Sequence, residues 1–295
     1  MTFDLALLNL LQLVSPTLPV GAYSYSEGLE TLIDRQIIYD RSSLVQWLRQ
    51  ELTWGSIRLD AAIVLRAHAA TLAGDSQTLV TWNQWLSAAR ETEELRLQHW
   101  QMGRSLLQLA QNLNLDPNTG TGSGSSQPVI PLQHTPLQRS GDAMPSPVAA
   151  PSSSNAPRSS PRQSIPATPN WTVVGEAAGT TERNSLEFPI PAELQDCCNF
   201  AIAFGLVAAG WHLDAETTLT GYLYSWASNL VSAAVRLVPL GQTEGQQALR
   251  HLHPHLYRSH DAILAFSNDE LACCSWGLSL ASMAHETQYS RLFRS

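Results

Sequence analysis

The sequence predicts an all-α fold, a single helical domain of roughly seven to ten helices interrupted by a long disordered insertion. Three observations carry this. Leu219, Tyr222, Leu223, Trp226, Leu230, Ala233 and Leu237 fall at i, i+3, i+4, i+7, i+11, i+14 and i+18, one continuous helical stripe. No apolar–polar alternation of period two is sustained anywhere, so a sheet is not expected. Between Pro117 and Asn170 stand 11 of the 17 prolines and only four charged residues, Arg139, Asp142, Arg158 and Arg162.

Residues 1–115 read as an N-terminal helical half. Met1 to Val14 is apolar but carries Asp4, Asn9 and Gln12, and the first basic residue is Arg35, so it does not read as a secretory leader. Pro16 and Pro19 end the first helix. Ser24-x-x-Glu27 and Ser43-x-x-Gln46 each fit a capping box, in which side chains satisfy orphan N–H groups at a helix start. Glu91, Glu93 and Glu94 lie beside Arg90 and Arg96, and Arg90 with Glu94 reads as an i,i+4 pair on an exposed helix face. Leu95, Met102, Leu106, Leu109 and Leu113 repeat the helical spacing with His99 on the stripe, as a satisfied core histidine.

Residues 116–192 read as a Pro/Ser/Gly-rich disordered insertion. Its composition buries too little apolar area to offset the entropy of ordering it. Trp171 to Val174 is the one stretch in it that reads as a short strand or a weakly docking segment.

Residues 193–295 form the C-terminal helical half, expected to pack on the first, since each half alone is small for an independent core. The near-apolar run from Cys197 to Trp211 spans 15 residues, too short for a membrane span and suited to a buried helix. Pro239 and Gly241 stop the Leu219 helix, and Ser267-x-x-Glu270 is a third capping box.

Composition excludes whole mechanisms. All 17 basic residues are arginine, and the chain has no lysine. A P-loop NTPase, a Schiff-base enzyme and a kinase-type ATP site each need one. The net charge of −8 argues against nucleic-acid binding. Nine tryptophans against six phenylalanines point to large buried or partner-binding surfaces. The four cysteines form two adjacent pairs, Cys197-Cys198 and Cys273-Cys274, with no CxxC spacing; they read as buried small hydrophobes of a reducing cytosol, one thiol of each pair inward and one sideways. No membrane segment and no cofactor are expected, and the chain reads as cytoplasmic.

No pair of residues carries the spacing of a catalytic acid and base or of a nucleophile and its base, so the chain is not read as an enzyme. His285-Glu286 is followed by Tyr289 where an HExxH site needs its second histidine. His251, His253 and His255, with His260 beyond, are the weak metal candidates: His251 and His255 are four residues apart, but Pro254 disfavours a helix running through them, so a solvated helix–helix connection is expected.

Two segments look unlike plain core. Ser15 to Glu30 packs Pro16, Pro19, Gly21, Gly28, Tyr23 and Tyr25 into a helix–helix connection, with Gly21 suited to positive φ and Gly28 to close helix approach. Glu286 to Ser295 alternates Arg291 and Arg294 with Leu292 and Phe293, anchor residues of the kind that dock into a partner.

These segments carry a resemblance. Leu11-Gln-Leu-x-Ser15-Pro16, Leu18 to Glu30, Arg90-Glu-Thr-x-Glu-Leu-Arg96, Gln101-Met-Gly-Arg104, Val235 to Gln242 and His285 to Ser295 occur in the order and form found in the urease accessory protein family UreF, to which the chain is similar over roughly residues 5–115 and 195–295. The 116–192 block departs from that family's pattern. The resemblance implies an all-α homodimer that assembles with UreD (UreH in some organisms) and the GTPase UreG to insert nickel into apo-urease, as a non-catalytic chaperone. It implies partner contacts at Tyr289, Arg291, Leu292, Phe293, Arg294 and Ser295 toward UreD, and at Tyr23, Tyr25 and Glu30 toward the GTPase. Two alternatives stand beside it: a regulator that supplies an arginine to UreG, with Arg236 the first candidate, and a nickel-binding protein or metallohydrolase using the histidine cluster.

Overall fold

The computed structural model describes residues 5–114 and 190–295. Among the described residues are ten α-helices and no strand, as the periodicity predicts: α1 (Leu5–Leu13), α2 (Leu29–Asp34), α3 (Arg41–Trp54), α4 (Ile57–Leu72), α5 (Ser76–Ala88), α6 (Glu93–Asn114), α7 (Phe200–Gly210), α8 (Ala215–Leu237), α9 (Gln242–Leu264) and α10 (Trp276–His285). They belong to one compact unit. The expected insertion, Trp171 to Val174 included, lies almost wholly outside the described residues. At its far edge Ile190 already packs on the core and a 3-10 turn, Ala192–Leu194, begins within the span assigned to it.

The core is built around α7, which is buried along its length from Phe200 to Ala209 and packs along α4 and α6. A helix this apolar on every face is stable only where other helices surround it. The closeness of α4 and α7 depends on Gly205: a Cβ there would lie 2.4 Å from the Val64 carbonyl oxygen. α8 packs on α4 and α9, and α9 on α3. The predicted α8 stripe is the inward one, with Leu219, Tyr222, Leu223, Leu230 and Ala233 buried and Trp226 and Leu237 partly so. On the α6 stripe His99 is buried, and burial together with Arg90 holds it well below the ordinary histidine range, so it is a neutral core residue.

Several local readings are corrected. α9 runs straight through Pro254. Its buried stripe is Gly245, Ala248, Leu249, Leu252, Ser259 and Ile263, while Pro254 is exposed, so the hydrogen bond the proline removes is lost on the water side. The histidines therefore lie on a helix and not in a connection. Arg90 precedes α6 and is buried, so it makes no helical pair with Glu94; it forms a bidentate pair with Asp60, at 2.7 and 3.1 Å. Ser24 caps no helix, and α2 begins after Gly28. Ser43 is the third residue of a box whose N-cap is Asp40, its N–H donating to Asp40 Oδ1 at 2.8 Å. The Ser267–Glu270 box forms as read, opening a 3-10 turn. Of the cysteines only Cys198 is fully buried; Cys273 and Cys274 are exposed, and all four are free.

Candidate functional site

Residues 21–30 reverse the chain between α1 and α2 through three left-handed positions, Gly21 at φ 81°, Glu27 at φ 52° and Gly28 at φ 78°. Gly28 also has to be small: a Cβ there would stand 3.1 Å from the Ser282 nitrogen of α10. The close approach sets residues 286–295, which follow α10, directly against this turn.

Main-chain bonds stitch the two segments together. Ser26 N–H and its hydroxyl both donate to the Ser295 main-chain oxygen, at 2.6 and 2.8 Å, and Arg294 N–H donates to the Ser24 carbonyl at 2.9 Å. Glu30, buried on α2, accepts Leu292 N–H on Oε1 at 2.7 Å and Phe293 N–H on Oε2 at 3.0 Å. Two charge-assisted bonds from adjacent amides fix the direction of the backbone at that point. Thr31 Oγ1 donates to Gln288 Oε1 at 2.7 Å, and the Ser295 hydroxyl donates to Gln98.

His285 sits below these bonds with no solvent exposure. Its Nε2 is 3.3 Å from Glu30 Oε2 and its Nδ1 2.9 Å from Glu94 Oε2, while Arg291 pairs with the other oxygen of Glu94. Phe293 is 4% exposed, and the Arg236 guanidinium lies 4.5 Å from its ring centroid. Arg236 Nη2 also donates to the Tyr23 carbonyl at 2.8 Å. Tyr25 is buried; burial pushes its hydroxyl pKa up, opposed by Arg294.

Nine of the ten residues singled out as partner contacts are therefore brought together, Tyr23, Tyr25, Glu30 and Arg236 in the seat and Arg291, Leu292, Phe293, Arg294 and Ser295 in or over it, while Tyr289 stands fully exposed on the same segment. They divide into two sets. Tyr25, Glu30, Phe293 and Ser295 are buried in the clasp itself. Tyr289 at 101%, Tyr23 at 71% and Leu292 at 65% are exposed, with Arg236, Arg291 and Arg294 around them. The outer set is an aromatic and arginine surface on a pinned backbone, a composition that suits a protein–protein anchor.

Sequence reasoning missed His285, Glu94, Ser26, Gln98 and Gln288 as parts of this arrangement. His285 and Glu94 stand in two of the quoted motifs, but no spacing rule connects positions so far apart in the chain.

Beneath the turn, Glu27 accepts a hydrogen bond from Trp226 Nε1 at 3.1 Å, and burial raises its carboxyl pKa to about 7. Glu27 is therefore not a helix cap. It borders a cavity of about 30 Å³ whose lining includes Asp60, His99, Tyr222 and Trp226. Arg90 closes the cluster: burial works against its charge, and Asp60 outweighs burial and keeps it protonated. Buried polar networks of this kind favour one arrangement of a core, although Arg90 Nε has no hydrogen-bond partner here.

The candidate metal ligands do not form a site with carboxylates or thiols. His251 Nδ1 lies 2.6 Å from the Gln247 carbonyl, and burial lowers the pKa of His255, with Arg258 and Arg49 acting in the same direction. Among the described residues no group of three or more His, Cys, Asp or Glu is placed to hold a metal ion, and no helix is long and apolar enough to cross a membrane.

Known proteins resemble this chain over nearly its whole length. A family model described as UreF matches residues 38–253. The urease accessory protein UreF of Nostoc sp. is 43% identical over 288 residues, covering 98% of this chain and 95% of the relative. The urease accessory protein UreF of Synechocystis sp. is 42% identical over 301 residues, 98% of each. That of Chromohalobacter salexigens is 31% identical over 291 residues, 99% of this chain and 95% of the relative.

Proposed function

Since the chain belongs to the UreF family of urease accessory proteins, and so to urease maturation, we propose that it is a non-catalytic chaperone which docks UreD (UreH) through the clasp face and, with the GTPase UreG, delivers nickel to apo-urease in the cytoplasm. Nickel is the cargo of that assembly. The observation that supports this reading most is the division of the clasp: a buried inner set holds residues 286–295 in place, and the outer set presents Tyr289, Leu292 and Tyr23 to solvent. Holding the backbone of that segment in place in advance lowers the entropy cost of binding. Tyr23, exposed beside the clasp, suits the UreG contact. The reading includes a homodimer, which sedimentation of the isolated chain tests.

Deleting residues 286–295 is expected to abolish co-purification with UreD and leave the helical circular dichroism unchanged. Undiminished co-purification overturns the assignment. The arginine-supplying alternative is disfavoured by the commitments of Arg236, which already bonds the Tyr23 carbonyl and stacks on Phe293.

A further inference from the structure

α3 and α9 pack against each other, and a groove of about 300 Å³ opens between them. Ser42, Val45, Gln46, Arg49 and Gln50 line it from α3, at i, i+3, i+4, i+7 and i+8, and His255 lines it from α9. On α9 the residues Gln247, His251, His255 and Arg258 recur at i, i+4, i+8 and i+11, so they form one stripe of that helix. Two observations tie the stripe to the groove. Arg41 Nη1 donates to Gln247 Oε1 across the two helices, and Arg49 and Arg258 are both charged neighbours of His255.

The groove is cationic, and its cations lack partners. Arg49 and Arg258 are exposed, and among the described residues neither forms an ion pair, whereas Arg90 and Arg291 are each matched to a carboxylate. The acids of the two helices are engaged elsewhere. Glu51 is buried and accepts the Ser275 hydroxyl at 3.5 Å, Glu244 accepts the Gly241 N–H at 3.2 Å, and Asp261 faces His260 at 3.1 Å. In a chain of net charge −8 this is a local reversal of sign.

Every polar side chain lining the groove can donate a hydrogen bond: Ser42 a hydroxyl, Gln46 and Gln50 amides, Arg49 its guanidinium fork and His255 a ring N–H. Guanidinium groups match carboxylates in bidentate geometry. From His251 to Arg258 the stripe covers about 10 Å, the reach of three or four residues of extended chain. The net charge of the chain opposes a long polyanion. A short acidic segment is governed by the arginines beside it, because salt screens more distant charges beyond about 10 Å.

We propose that the groove between α3 and α9 docks a short acidic peptide segment of a partner protein, with Arg49 and Arg258 each taking a carboxylate and Gln46 and Gln50 donating alongside. The groove shares no residue with the clasp, so this contact is additional to the one at residues 286–295 and stands or falls apart from it.

The test uses the full chain and a fluorescently labelled tetraglutamate peptide, followed by anisotropy at about 50 mM salt. Binding is expected, and about 300 mM salt should weaken it by about fivefold or more. Arg49→Glu/Arg258→Glu should weaken it by about tenfold or more, since each change replaces an attraction by a repulsion. Arg35→Glu/Arg104→Glu makes the same change of net charge outside the groove and should alter binding by less than about threefold. Gln46→Glu adds one negative charge inside the groove and should weaken binding by about threefold or more. All five positions are exposed, so unchanged thermal midpoints are expected throughout. Absent wild-type binding, equal weakening by the two double variants, displacement by equimolar inorganic phosphate, or tighter binding of a thymidine tetranucleotide than of the peptide overturns the proposal. Loss of self-association in Arg49→Glu/Arg258→Glu assigns the groove to a second copy of the chain and overturns it as well.

Discussion

Glu30 Oε2 accepts the main-chain N–H of Phe293 at 3.0 Å, joining α2 to a segment 263 residues further along the chain. The same carboxylate holds Leu292 N–H and faces His285, so one buried side chain organises the whole clasp.

Glu30→Gln keeps the shape but turns an amide N–H toward one of those donors. Hydrogen bonds to charged groups are worth about 1.5–3 kcal/mol, so exchange at Leu292 and Phe293 should accelerate by roughly tenfold or more. Far-UV circular dichroism should not change. Unaltered exchange contradicts the role given to Glu30.

Arg236 and Phe293 should be coupled. A double-mutant cycle with Arg236→Ala and Phe293→Ala, read as seating of residues 286–295, is expected to give about 0.5–1 kcal/mol of interaction energy. Single-turnover GTP hydrolysis by UreG should be the same within about twofold with either wild type or Arg236→Ala, against the 10³–10⁵-fold effect of an arginine finger. A large drop in hydrolysis restores the finger.

Burial raises both Glu27 and Glu51 from 4.5 to about 7, opposed at Glu27 chiefly by the Trp226 bond and reinforced at Glu51 by Glu27. The fold thus favours their protonated forms. That contribution is fully present below pH 4.5 and is lost as pH rises to about 7. Glu51→Gln should remove part of the loss, making the protein more stable than wild type at pH 8 by an amount on the order of 2 kcal/mol, with a smaller difference at pH 5. Urea unfolding across that pH range measures it, and a constant difference contradicts it.

Gly205→Ala puts a methyl group 2.4 Å from the Val64 carbonyl oxygen. Forcing α4 and α7 apart should cost about 1–3 kcal/mol, visible as a lowered thermal midpoint. An unchanged midpoint contradicts the close packing of this pair.

The helices were legible where one local force dominates. The α8 stripe and the stop before Pro239 are properties of neighbouring residues and formed as read, whereas Gly241 opens α9 as its N-cap. Pro254 misled because the sequence shows that a hydrogen bond must be lost but not that the loss falls on an exposed face, where water replaces it. Arg90 and Glu94 misled because their spacing is helical although the helix starts between them, at Glu93. The outer residues drew notice through residue type, since Tyr, Leu and Arg in an otherwise connecting segment suggest docking, and the structure leaves Tyr23, Tyr289 and Leu292 exposed. The inner set was not: a buried carboxylate paired with a histidine 255 residues away leaves no periodic trace in one sequence.

The central claim, that residues 286–295 present a docking face for UreD, is tested most directly by the affinity of UreD for the Tyr289→Ala/Leu292→Ala double variant. Both side chains are exposed, and the clasp's own hydrogen bonds do not use them. The account predicts at least a tenfold loss of affinity, about 1.4 kcal/mol, with exchange protection of Phe293 and Ser295 retained. Affinity equal to wild type, with the clasp intact, would contradict it.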